Sequence, residues 1–135
     1  MKLSSVKLLM ENVETLIIPE SFVGEMMISG ASESIHKYNS SELIKFCDVK
    51  SFYLEVKNPE KLILDNFNGS KPATYSLKDR ILECDDISDV ELCFTNGKSK
   101  VYRLPWKNNK TGNNKYQQAV VDDSGVLRIS VEKKF

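Results

Sequence analysis

Histidine is nearly absent from this chain, because His36 is the single one among 135 residues. A serine or cysteine nucleophile that needs an imidazole base therefore has only that residue to use. Ser32 and Ser34 lie near His36, but no Gly-x-Ser-x-Gly elbow occurs. On a strand, residues two positions apart are ordinary neighbours on one face. We therefore expect no catalytic triad and no enzymatic activity.

Cysteine is also scarce, since Cys47, Cys84 and Cys93 are an odd number at irregular spacings. No Cys-x-x-Cys, His-x-x-x-His, EF-hand or phosphate-binding loop motif is present. Turn capping explains acidic groups such as Asp122-Asp123 more simply than a divalent ion does. Unpaired thiols suit a reducing compartment. We expect a cytoplasmic protein with no metal and no cofactor, whose cysteines are small buried hydrophobes, with Cys93 as the accessible exception.

Long apolar runs and an excess of either charge are missing as well. No stretch approaches the roughly 20 residues that span a bilayer, and no signal-peptide pattern is visible. The 19 basic residues balance the 19 acidic ones, so the whole-protein field attracts neither nucleic acid nor an anionic membrane. We expect no membrane association, and electrostatic recognition must be local.

The residues that are present predict a β-rich domain. Hydrophobic residues make up 41% of the chain, which is enough for one domain to bury a core without staples. Short alternating runs separated by turn residues dominate, and neither a repeat nor a linker divides the chain. We predict a mainly β (β-rich α+β) fold over residues 1–135, a single compact antiparallel sheet domain with one or two short helices. A sandwich and a partly open barrel both fit.

The clearest predicted element is a β-hairpin over residues 85–106. Apolar residues alternate through 90–94 and lead to Asn96-Gly97, a pair that accepts the two positive φ values of a type I′ turn. A two-residue loop at this point would place Leu92 opposite Val101 and Glu91 opposite Tyr102.

Other runs predict the remaining elements. Ser76, followed by Asp79, has the N-cap pattern of a helix of about two turns, on which Leu77, Ile81 and Leu82 would share one face. A short helix at residues 40–46 is a further option. Surface loops are predicted at residues 65–72 and 107–115. Residues 6–10 and 16–18 predict an opening strand pair or one strand with a break. The other predicted strands are a hairpin of 23–28 with 34–38, a strand at 52–56, and a closing hairpin of 116–121 with 126–131.

Charge is distributed unevenly around the first hairpin, because acidic residues crowd its first strand and basic residues follow. Cross-strand pairing is the simplest explanation, and each exposed pair would contribute about 0.2–1 kcal/mol. Alternatively, aromatic rings and cations form a basic aromatic rim, because stacking on bases and neutralisation of phosphate are what single-strand binders need. The candidate residues of this rim are Tyr102, Arg103, Trp106, Lys107, Lys110 and Tyr116.

Several short motifs carry a resemblance. They are Met10-Glu11-Asn12-Val13-Glu14, Ile18-Pro19 with Val23-Gly24, and Asp85-Asp86-Ile87 leading to Asn96-Gly97. In these motifs the chain resembles small proteins of Firmicute phages and mobile elements, and its preference for lysine over arginine fits an AT-rich genome. The resemblance implies an accessory role in a phage or prophage, including inhibition of a host defence system, and brings no catalytic residues with it.

Two functions from different classes follow. We expect a non-enzymatic interaction protein of the bacterial or phage-infected cytoplasm, which binds a host protein or a second copy of itself through exposed strand edges. The alternative is a small binding module for a nucleotide, a phosphate ligand or single-stranded nucleic acid at the basic aromatic rim. Phosphate recognition weakens as salt rises, so a salt titration separates the two.

Overall fold

The computed structural model describes residues 2–10, 15–30, 34–35, 49–62, 73–79, 81, 87–104 and 115–133. Nine strands and one α-helix lie in these ranges, with single 3-10 turns at Glu20–Phe22 and Pro59–Lys61. The elements are β1 (Leu3–Met10), β2 (Thr15–Pro19), β3 (Val23–Ser29), β4 (Ser34–Ile35), β5 (Ser51–Val56), α1 (Ala73–Asp79), β6 (Ile87–Phe94), β7 (Ser99–Arg103), β8 (Lys115–Val121) and β9 (Leu127–Lys133).

The strands form two antiparallel sheets. One has the order β2-β1-β6-β7, and the other has the order β4-β3-β5-β9-β8. Every pairing within them is antiparallel. Both sheets are open, in the ranges given above, so the predicted mainly β fold is confirmed and the sandwich describes it better than a barrel.

Both sheets contribute one face to a single hydrophobic core. In β5 the buried residues are Phe52, Leu54 and Val56, and they alternate with partly exposed ones. This period of two puts successive side chains on opposite faces. β1, β3 and β6 follow it except at one position each, where the pairing shifts register. Buried residues of the two sheets belong to the same cluster, together with Leu77 of α1 and Ile81. The face of each sheet that points away from this core is called its outer face below.

The predicted turn of the β6–β7 hairpin is wrong by one residue. Gly97 has a φ of 86°, and Asn96 does not share a positive φ, so the turn is not type I′. Phe94 accepts a hydrogen bond from the Gly97 N–H at 3.0 Å and donates one to the Lys98 carbonyl at 2.9 Å. These bonds define a three-residue loop, a type I turn followed by a left-handed glycine.

This shift of register exchanges the two faces of β7. Val90 lies opposite Tyr102, and Glu91 lies opposite Val101. Tyr102 is therefore on the core side with 3% exposure, whereas Val101 is on the outer face with 51% exposure. A shift of the register by one residue moves every side chain of a strand to the other face of the sheet. The error of one residue in the predicted turn therefore exchanges the faces on which Tyr102 and Val101 lie.

The other predicted strands agree with the structure where it describes them. β1 and β2 form the opening pair, which ends at Pro19, and β3 pairs with β4 over Ile28↔Ile35 and Ser29↔Ser34. β5 ends before Asn58, whose φ of 50° is left-handed. The predicted helix at residues 40–46, the loop at 65–72 and residues 36–38 lie outside the described residues. The predicted loop at 107–115 also lies outside them except for Lys115, which begins β8 and is not a loop residue.

The predicted helix exists but begins earlier than expected. α1 starts at Ala73, so Ser76 lies within the helix and is not its N-cap. Leu77 and Ile81 of the predicted apolar face are both buried, and Leu82 lies outside the described residues. A capping residue must precede the first turn, and an N-cap pattern inside a longer helix cannot be distinguished from a true cap by spacing alone.

Candidate functional site

Three of the six predicted rim residues lie in the described part of the chain. Tyr102 and Arg103 end β7, and Tyr116 is the second residue of β8. The remaining three, Trp106, Lys107 and Lys110, lie outside the described residues. β7 and β8 belong to different sheets, so the two sheets supply opposite ends of this predicted site.

The residue that follows β7 and a residue in the first half of β8 both form hydrogen bonds with the start of β6. The Leu104 N–H donates to the Ser88 carbonyl at 2.9 Å, and the Ile87 N–H donates to Gln117 Oε1 at 2.9 Å. Gln117 Nε2 also donates to the Ile81 carbonyl at 2.6 Å. The amide of Gln117 thus joins β8 to residues that precede and begin β6, and it brings the neighbourhood of Arg103 and of Tyr116 to one end of the molecule.

Tyr102 does not present its ring to solvent. The residue is 3% exposed and belongs to the core. Burial removes water from the phenol and raises the pKa of Tyr102 well above its usual value. Lys100 Nζ lies over the ring, 5.8 Å from its centroid. A base cannot stack on a ring in this position, so Tyr102 is a core residue and not part of an aromatic rim.

Arg103 and Tyr116 do reach solvent. The side chain of Arg103 is 77% exposed, and its Nε lies 3.9 Å from Asp89 Oδ1. Tyr116 is 42% exposed and lies opposite Glu132. An ion pair this long and this exposed contributes little, so the Arg103 guanidinium remains able to contact an anion.

A polar network on the outer face of the five-stranded sheet was not predicted from the sequence. Arg128 Nη1 donates to Tyr53 Oη at 2.8 Å and to Glu55 Oε2, and Tyr53 Oη donates to Glu55 Oε2 at 2.9 Å. The other side of the same guanidinium donates to Asp122 Oδ2 from Nε at 3.1 Å and from Nη2 at 3.0 Å. The Arg128 network, defined as these four residues, therefore surrounds one cation with two carboxylates and a phenol.

Register explains why these residues meet. Tyr53 and Glu55 are two residues apart on β5, and Arg128 on β9 lies directly opposite Glu55. Glu55 Oε1 also accepts from the Glu25 N–H at 3.1 Å. A Cβ at Gly24 would come within 3.0 Å of the Glu55 Cβ, so the glycine leaves room for β3 to approach this carboxylate.

Asp122 connects the network to the turn of the β8–β9 hairpin. Its Oδ1 accepts from the Ser124 hydroxyl at 2.7 Å, the Ser124 N–H at 2.9 Å and the Val126 N–H at 3.0 Å. These bonds, first that of Ser124, then that of Val126 and also that of Arg128, hold the pKa of Asp122 well below its usual value. Tyr53 and Asp122 likewise raise the pKa of Arg128.

The Arg128 network links β5, β9 and the turn before β9. Its guanidinium donates to two carboxylates and a phenol, and no cysteine, serine hydroxyl or imidazole is among those partners. The sequence carried a signal, because Tyr53-x-Glu55 has the spacing of one strand face and Arg128 is one of only three arginines. Sequence reasoning took Asp122 only as part of a turn.

Edge strand β8 is the second feature of interest. It is the last strand of its sheet, and residues 116–121 carry no charge. Tyr116 and Val120 are each 42% exposed on its outer face, while Ala119 is buried. An uncharged edge with exposed apolar side chains is a surface that strands of another chain can join.

Cysteine and metal chemistry find little support in the described residues. Cys93 is a free, partly buried thiol on the outer face of β6, as predicted. No group of three or more His, Cys, Asp or Glu residues is placed to hold a metal ion within those ranges. His36, Cys47 and Cys84 lie outside them.

Comparison of the chain with protein-family models, with curated proteins and with solved structures finds no match in any of the three. Among the described residues, no helix has the length and apolar character needed to cross a membrane. The geometry of this chain is therefore the basis for any functional conclusion.

Proposed function

We propose that this chain is a non-enzymatic interaction domain, which binds an extended segment of a partner protein by strand addition at edge strand β8. The partner is a host protein in the cytoplasm of a bacterium, and the chain acts as a phage or prophage accessory protein that inhibits host defence. The observation that carries the binding mode is the uncharged, partly apolar outer edge of β8.

The three other edge strands, β7, β2 and β4, differ from β8. β7 carries Lys100 and Arg103 within five residues, β2 ends at Pro19, and β4 is only two residues long. Charge, proline and shortness are the common devices that prevent edge strands from pairing with other chains. β8 has seven residues and no charge after Lys115. Among the four edge strands of the described fold it is therefore the one without charge, proline or shortness along residues 116–121, and α1 contacts part of it.

The backbone of β8 offers hydrogen bonds in the required direction. The Asp122 N–H donates to the Val126 carbonyl at 3.0 Å, and antiparallel ladders alternate between bonded and non-bonded pairs. By this alternation, the backbone groups of Ala119 and Val121 point away from β9. An added strand would satisfy them, and exposed Tyr116 and Val120 would contact its side chains.

A variant pair tests this proposal. Val120→Lys places a charge on the β8 edge, whereas Val101→Lys makes the same change on β7; both sites are exposed, so each change should alter stability by about 0.5 kcal/mol or less. We expect the wild type and Val101→Lys to capture the same stoichiometric protein from a lysate of a Firmicute host, and Val120→Lys to lose it.

Hydrogen exchange locates the contact. Strand addition should slow exchange at the Ala119 and Val121 amides in the complex, because these groups point away from β9 and would gain partners from the added strand. Capture that survives Val120→Lys, or a complex in which both amides exchange as fast as in the free chain, contradicts binding at β8.

Ligand binding near Arg103 and Tyr116 is the second candidate. The exposure of Arg103 favours this function. The burial of Tyr102 counts against it, because Tyr102 is one of the three aromatic residues predicted to form the rim. A nucleotide or single-stranded DNA bound there should lose affinity as salt rises and after Arg103→Ala. Binding that is insensitive to both contradicts this candidate.

A further inference from the structure

The outer face of the four-stranded sheet has a regular row of side chains. Lys7 on β1 lies opposite Ile17 on β2 and opposite Glu91 on β6, and Glu91 lies opposite Val101 on β7. The row Ile17–Lys7–Glu91–Val101 therefore crosses all four strands. Its two ends are apolar and exposed, at 40% for Ile17 and 51% for Val101, and its two central residues have opposite charges.

The two central charges have no ionic partner within the described chain. Although Lys7 and Glu91 occupy facing positions, neither takes part in an ion pair there. Across the molecule the situation is reversed, because Arg128 on the other outer face contacts both Glu55 and Asp122. On this outer face, Asp89 and Arg103 approach each other to 3.9 Å, whereas Lys7 and Glu91 are opposite charges that form no ion pair within the described chain.

Across the four strands the row reads apolar, positive, negative, apolar. When a second copy is turned by 180° about an axis along the strands, each charge lies over the opposite charge and each apolar residue lies over an apolar one. We propose that a second copy of this chain packs face to face on this sheet, about a two-fold axis that runs along the strands between β1 and β6. Lys7 then lies over Glu91 of the second copy, and Ile17 lies over Val101 of the second copy, and each contact occurs twice. A closed dimer needs this kind of self-complementary patch.

Charge selects this orientation over the other face-to-face arrangement. A two-fold axis across the strands would place Lys7 over Lys7 and Glu91 over Glu91, and like charges at an interface are costly. The next row toward Pro19 contains Ser5 opposite Cys93, whose small side chains permit close approach. This packing uses the sheet face and is independent of the β8 edge.

The interface is small. Four strands spaced about 4.8 Å apart place the outer two roughly 14 Å from each other, so the buried area falls at the low end for specific interfaces. We expect a concentration-dependent dimer in place of a permanent one. In such an interface, reversal of one central charge should weaken dimerisation about tenfold or more, because both copies of the pair become repulsive.

Charge-reversed variants of the full chain test the dimer by sedimentation equilibrium over a wide concentration range. We expect the wild type to dimerise, and Lys7→Glu and Glu91→Lys each to remain monomeric. A mixture of the two variants should dimerise again, because each variant then meets the opposite charge on the other. Val101→Lys should weaken the wild-type dimer, and Val120→Lys, on the other sheet, should leave it intact.

A wild-type chain that stays monomeric throughout, or a variant mixture that stays monomeric while both variants are folded by circular dichroism, overturns the proposal. If a charge variant fails to fold, crosslinking decides instead. Sheets that pack about 10 Å apart with strands offset by about 4.8 Å place the two Cys93 Cα atoms about 11 Å apart. A short bismaleimide should therefore crosslink a Cys47→Ser, Cys84→Ser chain through Cys93, and absence of this product counts against the dimer.

Discussion

Hairpins β6–β7 and β8–β9 share one turn geometry but hold their charged side chains differently. Gly97 and Gly125 have φ values of 86° and 84°, and each ends a three-residue loop. In the first hairpin, Arg103 approaches Asp89 only to 3.9 Å. In the second, Arg128 donates to Asp122 at 3.0 Å and 3.1 Å, and also to β5.

The difference shows what makes a charged pair contribute to a fold. Asp89 and Arg103 are directly opposite, as cross-strand pairing requires, yet the arginine is mostly solvated. Arg128 is held because Tyr53 and Glu55 approach it from a neighbouring strand while Asp122 approaches it from the turn. A third strand and a turn together confine the guanidinium, and fixed geometry with several partners is what gives an ion pair its strength.

Truncation of the two tyrosines should lower the stability of the fold by very different amounts. Tyr102→Ala should lower the free energy of unfolding by about 3–5 kcal/mol, because it empties a buried aromatic site, whereas Tyr116→Ala should cost about 1 kcal/mol or less. Urea denaturation of both variants measures this. Equal losses would contradict the register that places Tyr102 in the core.

Substitution of either turn glycine should lower the free energy of unfolding by a smaller amount, and this amount should be the same in the two hairpins. A Cβ at Gly97 or Gly125 meets no atom within 4 Å, so alanine costs only the strain of a left-handed backbone, about 1–2 kcal/mol. Asparagine adopts a left-handed backbone more readily than alanine does, so Gly97→Asn should be less destabilising than Gly97→Ala. A type I′ turn at Asn96-Gly97 would be revealed if Asn96→Ala proved as costly as Gly97→Ala, because both positions would then be left-handed.

The stabilisation that Asp122 gives to the β8–β9 hairpin should be lost in acid. The pKa of Asp122 is lowered by folding from its usual value of 3.8, so in acid the unfolded chain binds a proton more readily than the folded chain. The resulting stabilisation is fully present above about pH 4 and is lost as the pH falls toward the folded-state pKa. We expect Asp122→Asn to be less stable than wild type at pH 7, with a smaller difference at pH 3.

Asp123→Asn is the matched control, because it removes the same charge from an exposed position in the same turn. Its unfolding midpoint at pH 7 should equal that of the wild type. If the two asparagine variants behaved alike at pH 7, the hydrogen bonds to Asp122 would not be what stabilises this turn.

Much of the fold could be predicted from local patterns. Period-two alternation located β1, β5, β6 and the closing hairpin, because burying one face of a sheet imposes that period whatever the partner strand is. The turn at Asn96-Gly97 was assigned too short, since Asn-Gly suits both a two-residue loop and the end of a three-residue one. That ambiguity changes the register, and with it the placement of Tyr102.

The candidate site was less predictable. The rim was inferred from residues close together in sequence, and Arg103 and Tyr116 do flank the segment that connects the two sheets. The Arg128 network joins residues that are 73 and 75 positions apart in sequence. No local spacing indicates such a contact, because it depends on β9 pairing with β5.

Local sequence patterns are sufficient to show that this chain buries one face of many short strands, since side-chain hydrophobicity and backbone geometry act over a few residues. The tertiary fold is needed to establish which strands are neighbours, which carboxylates surround Arg128, and which strand is left at an edge. Those outcomes depend on pairing between distant segments, whose free energy comes from the shared core and the complete hydrogen-bond ladder. The row across the four-stranded sheet exists for the same reason, because its four residues come from four separate strands.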